Sequence, residues 1–181
     1  MSHKVDRTQV DEDLEPFEEF FGLHHAVIFD YLWRMTGEEQ TANDLTQETF
    51  LRAWRQYSTI SAYDSPRAWL FRVATNLALN HMRASARRTT FQHGGATDDE
   101  EAPTATIPDQ AEQVVSQDII SRQLLSLPPR ERSALVLHAI YGFSCAELAD
   151  ALNISLSAAK IAVWRGRERF RRGYLREEGE A

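Results

Sequence analysis

Polar side chains recur at helical spacing after Pro66, and their chemistry suits a nucleic acid. Residues 65–97 contain five arginines and no acid. Guanidinium groups bind phosphates, whereas side-chain amides can pair with the edges of bases. A spacing of three or four residues places such groups on one face of a helix. The pattern predicts a nucleic-acid surface, with an ordinary solvated face as the bland alternative, made of Arg72, Asn76, Asn80, Arg83 and Arg87.

Aromatic residues border this polar stripe. Trp69 and Phe71 lie beside it in the sequence, and Tyr63 precedes it. Exposed aromatic rings next to basic groups can stack on unpaired bases. The alternative is that Trp69 and Phe71 belong to the core of the domain, and for Trp69 taken alone the core is the preferred interpretation.

A second basic region follows a pattern that is typical of a helix-turn-helix. Residues 145–164 place small Ala149 at a close helix crossing and Asn153 in a tight turn, with apolar contacts between the two helices. The exposed N-terminal part of the second helix is the part that enters a major groove. Residues 160–176 carry seven bases and one acid, which suits phosphate contacts. A helical hairpin with a solvated arginine face is the alternative.

The overall charge hides these two basic regions. The 181-residue chain has a net charge of −7, and residues 98–118 alone carry seven acids and no base. Because salt screens charges over ~10 Å, a phosphate responds to local charge. The single cysteine, Cys145, excludes an intrachain disulfide and indicates a reducing compartment. No apolar stretch approaches the ~20 residues that span a bilayer, and no secretory signal is visible, so we predict a cytoplasmic location.

The elements that position these residues are predicted to be helices throughout. Apolar residues follow helical periods, and no run of alternating β-branched residues indicates a sheet. The fold class is therefore all-α, with two small helical domains joined by a flexible acidic linker. Helices are predicted over residues 16–35, 43–57, 66–88, 114–127, 129–141, 144–152 and about 155–172. The predicted divisions are an acidic tail (1–14), a first domain (15–88), the linker (89–112), a second domain (113–176) and a short tail (177–181).

Capping signals indicate where several of these helices begin and end. A cap residue followed three positions later by Glu or Gln forms a capping box, and Ser before Pro is a common helix start. Gly and Asn suit the left-handed conformation at helix ends. Starts are predicted at Asp44 (with Gln47), Ser65, Ser144 (with Glu147) and either Ser155 or Ser157, and left-handed residues at Gly142 and Asn153.

In its motifs and their order, the chain resembles the extracytoplasmic-function (ECF) sigma factors of bacterial RNA polymerase. Residues 44–54, DLTQETFLRAW, look like region 2.2 of that family. Residues 67–78, RAWLFRVATNLA, resemble its region 2.3/2.4 and are the most specific stretch. Residues 127–132, LPPRER, followed by GFS at 142–144 and ELA at 147–149, are similar to the start of its region 4. The resemblance covers about residues 15–88 and 112–173.

The resemblance implies an alternative sigma factor that binds core RNA polymerase and selects promoters through their −10 and −35 elements. Its implied partners are the β′ coiled coil and β flap of the polymerase, promoter DNA and an anti-sigma factor. The acidic linker would lie near the RNA exit path. Polymerase contacts would come from the region 2.2 helix, through Asp44, Gln47, Glu48, Leu51 and Arg52.

Two further sets of residues would contact the promoter. A loop would hold a flipped base of the −10 element, and the following helix would bind the non-template strand; this set is Ile60, Ser61, Ala62, Tyr63, Asp64, Trp69, Phe71, Arg72, Asn76, Asn80 and Arg83. The −35 element would be read by Ser155, Ser157, Ala158, Lys160, Ile161, Trp164, Arg165 and Arg167. The recognition helix departs from the family at Ala162, where members often carry an arginine that can bind guanine.

Two other classes of function fit these residues less well. A conventional helix-turn-helix regulator would bind duplex DNA as a free dimer, without polymerase docking. It would need neither the 44–54 segment nor the polar stripe. An enzyme is disfavoured because adjacent His24 and His25 point to different faces of a helix, and no phosphate loop or nucleophile motif is visible. We therefore predict no catalytic residue, no metal site and no cofactor.

Overall fold

The computed structural model describes residues 7–61, 63, 65–92 and 119–180, and in these residues the fold is all-α, as predicted. The predicted linker lies almost entirely outside the described residues. Eight helices are present in the described part of the chain. They are α1 (Arg7–Thr36), α2 (Glu39–Arg55), α3 (Tyr57–Ile60), α4 (Pro66–Gln92), α5 (Ile119–Ser126), α6 (Pro129–Ala139), α7 (Cys145–Leu152) and α8 (Leu156–Glu180).

Most of the predicted helix ends are present. The Ser65 hydroxyl accepts a hydrogen bond from the Ala68 amide, and Ser144 and Glu147 form the complete capping box that opens α7. Two left-handed residues occur where they were expected, with φ of 74° at Gly142 and 52° at Asn153. These signals are local, so the sequence alone is enough to locate them.

The predicted start of α2 at Asp44 is wrong. The helix begins at Glu39, five residues earlier, and Asp44 lies exposed in its interior. The break before α2 is set by Gly37, whose φ of 73° ends α1 and whose amide bonds to the Trp33 carbonyl at 2.7 Å. Extended Glu38 then starts the new helix, with its carboxylate accepting from the Thr41 hydroxyl at 2.6 Å. Asp44 and Gln47 therefore have the spacing of a capping box although they lie inside a helix.

Three other helices extend beyond their predicted bounds, and one of them is α8, which continues to Glu180 instead of ending at about residue 172. α1 begins at Arg7, nine residues before its predicted start at residue 16, and contains Pro16. α4 continues to Gln92, four residues past its predicted end. No proline or glycine occurs between Arg88 and Gly94, so no helix-breaking residue ends α4 earlier.

The described helices form two packed units. α1, α2, α3 and α4 bury a core around Tyr31, whose hydroxyl pairs with that of Thr75 at 2.7 Å. α5, α6, α7 and α8 bury a second core that includes Val136, Leu148 and Ala159. The two cores are continuous, because α5, α6 and α7 also contact α1 and α4.

A close crossing of α6 and α8 provides a test of this packing. A Cβ atom at Gly166 would lie 2.8 Å from the Glu131 carbonyl oxygen, whereas one at Gly22 would meet nothing within 4 Å. We expect Gly166→Ala to lower the free energy of unfolding by about 1–3 kcal/mol. The matched Gly22→Ala should raise it by about 0.5–1 kcal/mol, because alanine favours the helix. Urea unfolding measures both, and equal stabilities would contradict the crossing.

Candidate nucleic-acid and polymerase interfaces

The polar stripe of α4 is open to solvent. All five of its members are described and exposed, on successive turns of the helix: Arg72, Asn76, Asn80, Arg83 and Arg87. The opposite face of the helix is fully buried at Leu70, Ala74 and Ala78, which fixes the direction in which the stripe points. One contact within the stripe is a 3.2 Å hydrogen bond from the Arg83 guanidinium to the Asn80 amide oxygen. From Arg72 to Arg83 the stripe extends about 17 Å along the helix axis, at ~1.5 Å per residue.

The loop before α4 is only partly accessible. Tyr63 is 45% exposed and Ser61 is exposed, so both can meet a ligand. Ile60 is fully buried in the core, and its side chain supports the loop from beneath. The prediction that Ile60 contacts a base is therefore wrong for the structure described, because its side chain lies in the core. Ala62 and Asp64 lie outside the described residues.

The two aromatic residues beside the stripe lie inward. Trp69 is half-buried and packs against the core. Phe71 is only 1% exposed, with ring centroids 4.9 Å from Tyr141 and 5.1 Å from Phe143. Phe71 is thus covered by the second unit and is closed to DNA in this arrangement, which corrects the prediction of an exposed stacking residue. Helical periodicity places Phe71 near the stripe. Its burial by a segment far away in the sequence leaves no signal in the residues around it.

The outer face of α2 combines exposed charges with one exposed apolar side chain. Leu51 is 50% exposed between Gln47 and Arg52, and Asp44 lies one turn earlier. Glu48 and Arg52 form a 2.8 Å ion pair whose side chains are both about two-fifths exposed. Such a surface pair adds little stability. The face is therefore available for a partner.

The inner face of α2 explains why the outer one is held in place. Thr46, Thr49, Phe50 and Ala53 are buried there. The two threonine hydroxyls donate to carbonyls four residues earlier, at 2.7 Å each, so both buried hydroxyls are hydrogen-bonded. Packing of this face fixes the rotation of the helix and turns Asp44 and Leu51 to solvent.

The predicted helix-turn-helix is present in α7 and α8. Left-handed Asn153 turns the chain, and the Ser155 hydroxyl accepts from the Ala158 amide at 3.1 Å. Ser155 therefore caps α8 rather than Ser157. Buried Leu148, Ala149, Ala159 and Val163 hold the crossing of the two helices together.

The predicted readout residues of α8 lie mostly on its exposed face. Trp164 is 66% exposed and Ile161 is 49% exposed. The other exposed members are Ser155, Ser157, Lys160, Arg165 and Arg167, whereas Ala158 and Ala162 are half-buried. Farther along, Arg169 is 3.1 Å from Glu131, and Arg171 and Arg172 pair with Glu168, so these arginines are partly engaged within the protein.

One buried cation was missed by sequence reasoning. Arg132 is 2% exposed and donates to the backbone carbonyls of Met35, Leu125 and Leu127. These acceptors lie at the C-terminal ends of α1 and α5, where a positive charge is favoured. Burial lowers the pKa of Arg132 to about 10. No sequence pattern announces this role, because Met35 lies far away along the chain.

Among the described residues, no group of three His, Cys, Asp or Glu side chains could hold a metal ion.

Burial, together with the nearby Arg67 guanidinium, lowers the pKa of His24. None of the helices in the described ranges is both long and apolar enough to cross a membrane.

Comparison with known proteins identifies two family models in the chain. Sigma-70 region 2 matches residues 20–88, and Sigma-70 region 4 matches residues 117–170. The chain is 33% identical over 138 residues to the ECF RNA polymerase sigma factor SigL of Mycobacterium tuberculosis, covering 76% of each protein. It is 29% identical over 172 residues to the ECF RNA polymerase sigma factor SigW of Bacillus subtilis, covering 88% of this chain and 89% of that one.

Two solved structures share the fold. The sigma factor RpoE of Bartonella quintana, in complex with the anti-sigma factor NepR, aligns with a TM-score of 0.69 and 22% identity, over 88% of this chain and 96% of that one. CnrH, in complex with the cytosolic domain of CnrY, aligns with a TM-score of 0.59 and 22% identity, over 89% of this chain and 88% of that one. At this identity the likeness concerns the fold alone.

Proposed function

The chain belongs to the ECF family of RNA polymerase sigma factors, and from that membership we propose how its exposed faces divide the work of an alternative sigma factor. The observation that carries the proposal is the presence of three separate exposed faces, on α2, α4 and α8, each backed by a buried one. The chain acts by binding core polymerase and promoter DNA.

The outer face of α2 docks on core polymerase, through the β′ coiled coil. Leu51 supplies an apolar anchor of the kind that concentrates binding energy at the centre of an interface. The surrounding charges of Asp44, Glu48 and Arg52 favour a partner of complementary charge and set the register of docking. The second unit completes the attachment at the β flap.

The stripe of α4 binds the non-template strand of the −10 element. The part of the stripe from Arg72 to Arg83, about 17 Å long, matches about five stacked nucleotides at ~3.4 Å each. Arg72 and Arg83 contact phosphates, and Asn76 and Asn80 meet base edges. Exposed Tyr63 in the preceding loop is placed to stack on an unpaired base.

The recognition helix α8 reads the −35 element in the major groove. Lys160 is exposed and can donate to guanine, while Ile161 can contact thymine methyl groups. The methyl side chain of half-buried Ala162 cannot bind guanine as an arginine would. Base readout therefore depends on Lys160 and Trp164. Arg165 and Arg167 contact phosphates and position the helix.

Further partners and location follow from the same family membership. We propose that the chain works in the cytoplasm, where polymerase and promoters are, and that an anti-sigma factor controls it. Support comes from the RpoE–NepR complex, in which a protein of the same fold is bound by an anti-sigma factor.

Gel filtration of the chain with and without bacterial core polymerase, followed by run-off transcription from a promoter library, tests the proposal. Co-elution and promoter-selective transcripts are expected, and the transcripts define the −10 and −35 preferences. A free dimer that binds duplex DNA tightly and does not co-elute would indicate a conventional regulator.

The recognition helix gives a prediction that separates readout from positioning. We expect Lys160→Ala to cost about 1–3 kcal/mol at matched −35 sequences and to relax the preference at one base position. Arg165→Ala should weaken binding to all sequences and lower the salt slope by about 1. Titration of −35 duplexes at several salt concentrations measures both. Identical effects of the two variants would contradict the assigned roles.

A further inference from the structure

The exposed face at the start of α8 is fixed in direction by the residues buried behind it. Ala159 is fully buried and Val163 is 7% exposed, and both belong to the core that α8 shares with α7. At about 100° per residue, four exposed side chains on the other side of the helix fall within an arc of about 100°. They are Ser157, Lys160, Ile161 and Trp164.

The dimensions of this readout face match a major groove. Ser157 and Trp164 lie about 10 Å apart along the helix axis, at ~1.5 Å per residue, which spans about three base pairs at ~3.4 Å each. Arg165 and Arg167 are exposed and flank the face, each about 80° around the helix from Ser157 and on opposite sides. The two guanidinium groups are therefore placed for the phosphates of both strands, while the face between them points at the base edges.

Few hydrogen-bonding groups are available on the readout face. Residues 155–164, SLSAAKIAVW, contain no arginine, asparagine, glutamine or acid. The amide pairs that specify adenine and the carboxylate that accepts from cytosine are therefore missing. Lys160 can donate to guanine, whereas the serine hydroxyls can donate or accept and so discriminate little. Hydrogen bonds from this stretch specify guanine and no other base.

Apolar side chains make up the rest of the readout face. Ile161 is 49% exposed and Trp164 is 66% exposed. Their spacing of three residues places them side by side on the helix surface. The apolar group that a base pair presents in the major groove is the C5-methyl group of thymine. An apolar pair at the centre of the face therefore fits a methyl group between the two strands.

We propose that this chain reads its −35 element through C5-methyl groups. Ile161, with Trp164 beside it, binds the methyl group of a pyrimidine next to a guanine that Lys160 contacts. The inference rests on the proposed −35 role of α8 and names the chemical feature that is recognised there. Thymine and 5-methylcytosine carry the same methyl group at the same place in the groove. Methylation of a cytosine at this position therefore raises the affinity of the chain for the element.

Changes of a single methyl group in the DNA test the inference. The full-length chain, assembled with core polymerase, first selects −35 elements from promoters randomised in that region. Each thymine of a selected element is then replaced by deoxyuridine, which removes the methyl group and keeps every hydrogen-bonding group. We expect about a fourfold loss of affinity at one or two positions, as the exposure of one methyl group implies. At the same positions, 5-methylcytosine should bind about fourfold more tightly than cytosine.

Ile161→Ala connects this effect to the protein. The variant should bind the thymine and deoxyuridine elements equally well at the position that Ile161 contacts. The matched control is Leu175→Ala, which removes another exposed apolar side chain about 21 Å farther along α8. The control should keep the full penalty for deoxyuridine. Circular dichroism verifies that both variants are folded.

Three results would overturn the inference. They are a selected element with no thymine in either strand, a wild-type chain that binds deoxyuridine as tightly as thymine, and an Ile161→Ala chain that keeps the penalty. Failure of the proposed function is distinguishable from these results. A chain that lacks this function selects no −35 element at all, which would contradict both proposals, whereas failure of the inference alone leaves a selected element that is indifferent to the methyl group.

Discussion

Replacement of Asp44 and Glu48 by arginine is expected to lower the affinity for core polymerase at least a hundredfold, while the fold is retained. Both side chains lie on the outer face of α2, and neither is needed for packing. Reversal of two charges at the centre of a docking face turns attraction into repulsion, and hot-spot changes of more than 2 kcal/mol are usual there. The intrahelical pair of Glu48 with Arg52 is lost at a cost of only about 0.2–0.5 kcal/mol.

The control for this variant is reversal of Glu18 and Glu19, two exposed acids of α1. It changes the net charge by the same amount without altering α2, so it separates local from overall electrostatics. Fluorescence anisotropy with labelled chain gives the dissociation constants, and circular dichroism reports the fold. A control that loses as much affinity as Asp44→Arg with Glu48→Arg would contradict the docking face.

Exposed Leu51 distinguishes docking from charge steering. Steering alters mainly the rate of association, whereas an apolar anchor alters dissociation. Leu51 contributes little to the fold, because half of its side chain is in water. A Leu51→Ala change that speeds dissociation without slowing association would assign the anchor role to this side chain.

The local parts of the fold could be predicted from the sequence because their causes are local. The cap at Ser144 and the left-handed turn at Asn153 depend on neighbouring residues only, and the stripe that contains Asn76 follows from helical periodicity. The start of α2 was misplaced because the Asp44 spacing satisfies the same local rule as a real cap. The actual start of α2 is set by Gly37, whose left-handed conformation ends α1 just before it.

The parts that could not be predicted depend on residues far apart in the sequence. Ile60 and Phe71 have the same chemistry whether they meet a base or a core, and only the fold decides that both are buried. The bond of Tyr141 to Asp30 spans 111 residues, and that of Arg132 to Met35 spans 97. The sequence therefore indicates which helix faces are exposed better than it indicates the contacts between the two units.

The stripe of α4 leads to the second large prediction, which concerns promoter opening. We expect Arg72→Ala combined with Asn76→Ala to reduce open-complex formation about a hundredfold and to leave polymerase binding unchanged. Melting costs base stacking, and this cost is offset only if the unpaired strand gains contacts on the protein. Arg72 and Asn76 lie one turn apart on the open part of the stripe, so both contacts are lost together.

Binding of the assembled polymerase to a single-stranded −10 oligonucleotide isolates this step from melting. The double variant should lose about tenfold or more in affinity for the non-template strand, since the base-edge contact of Asn76 is worth about 1–3 kcal/mol and the phosphate contact of Arg72 is lost with it. Arg130→Ala, which removes an exposed guanidinium from α6, serves as the charge control and should bind normally. If the double variant holds the single strand as tightly as the control, α4 does not capture the melted strand. A double variant that binds the single strand normally but is defective on duplex promoters would show that these side chains act in the melting step. Duplex promoters require melting, whereas the single-stranded oligonucleotide does not.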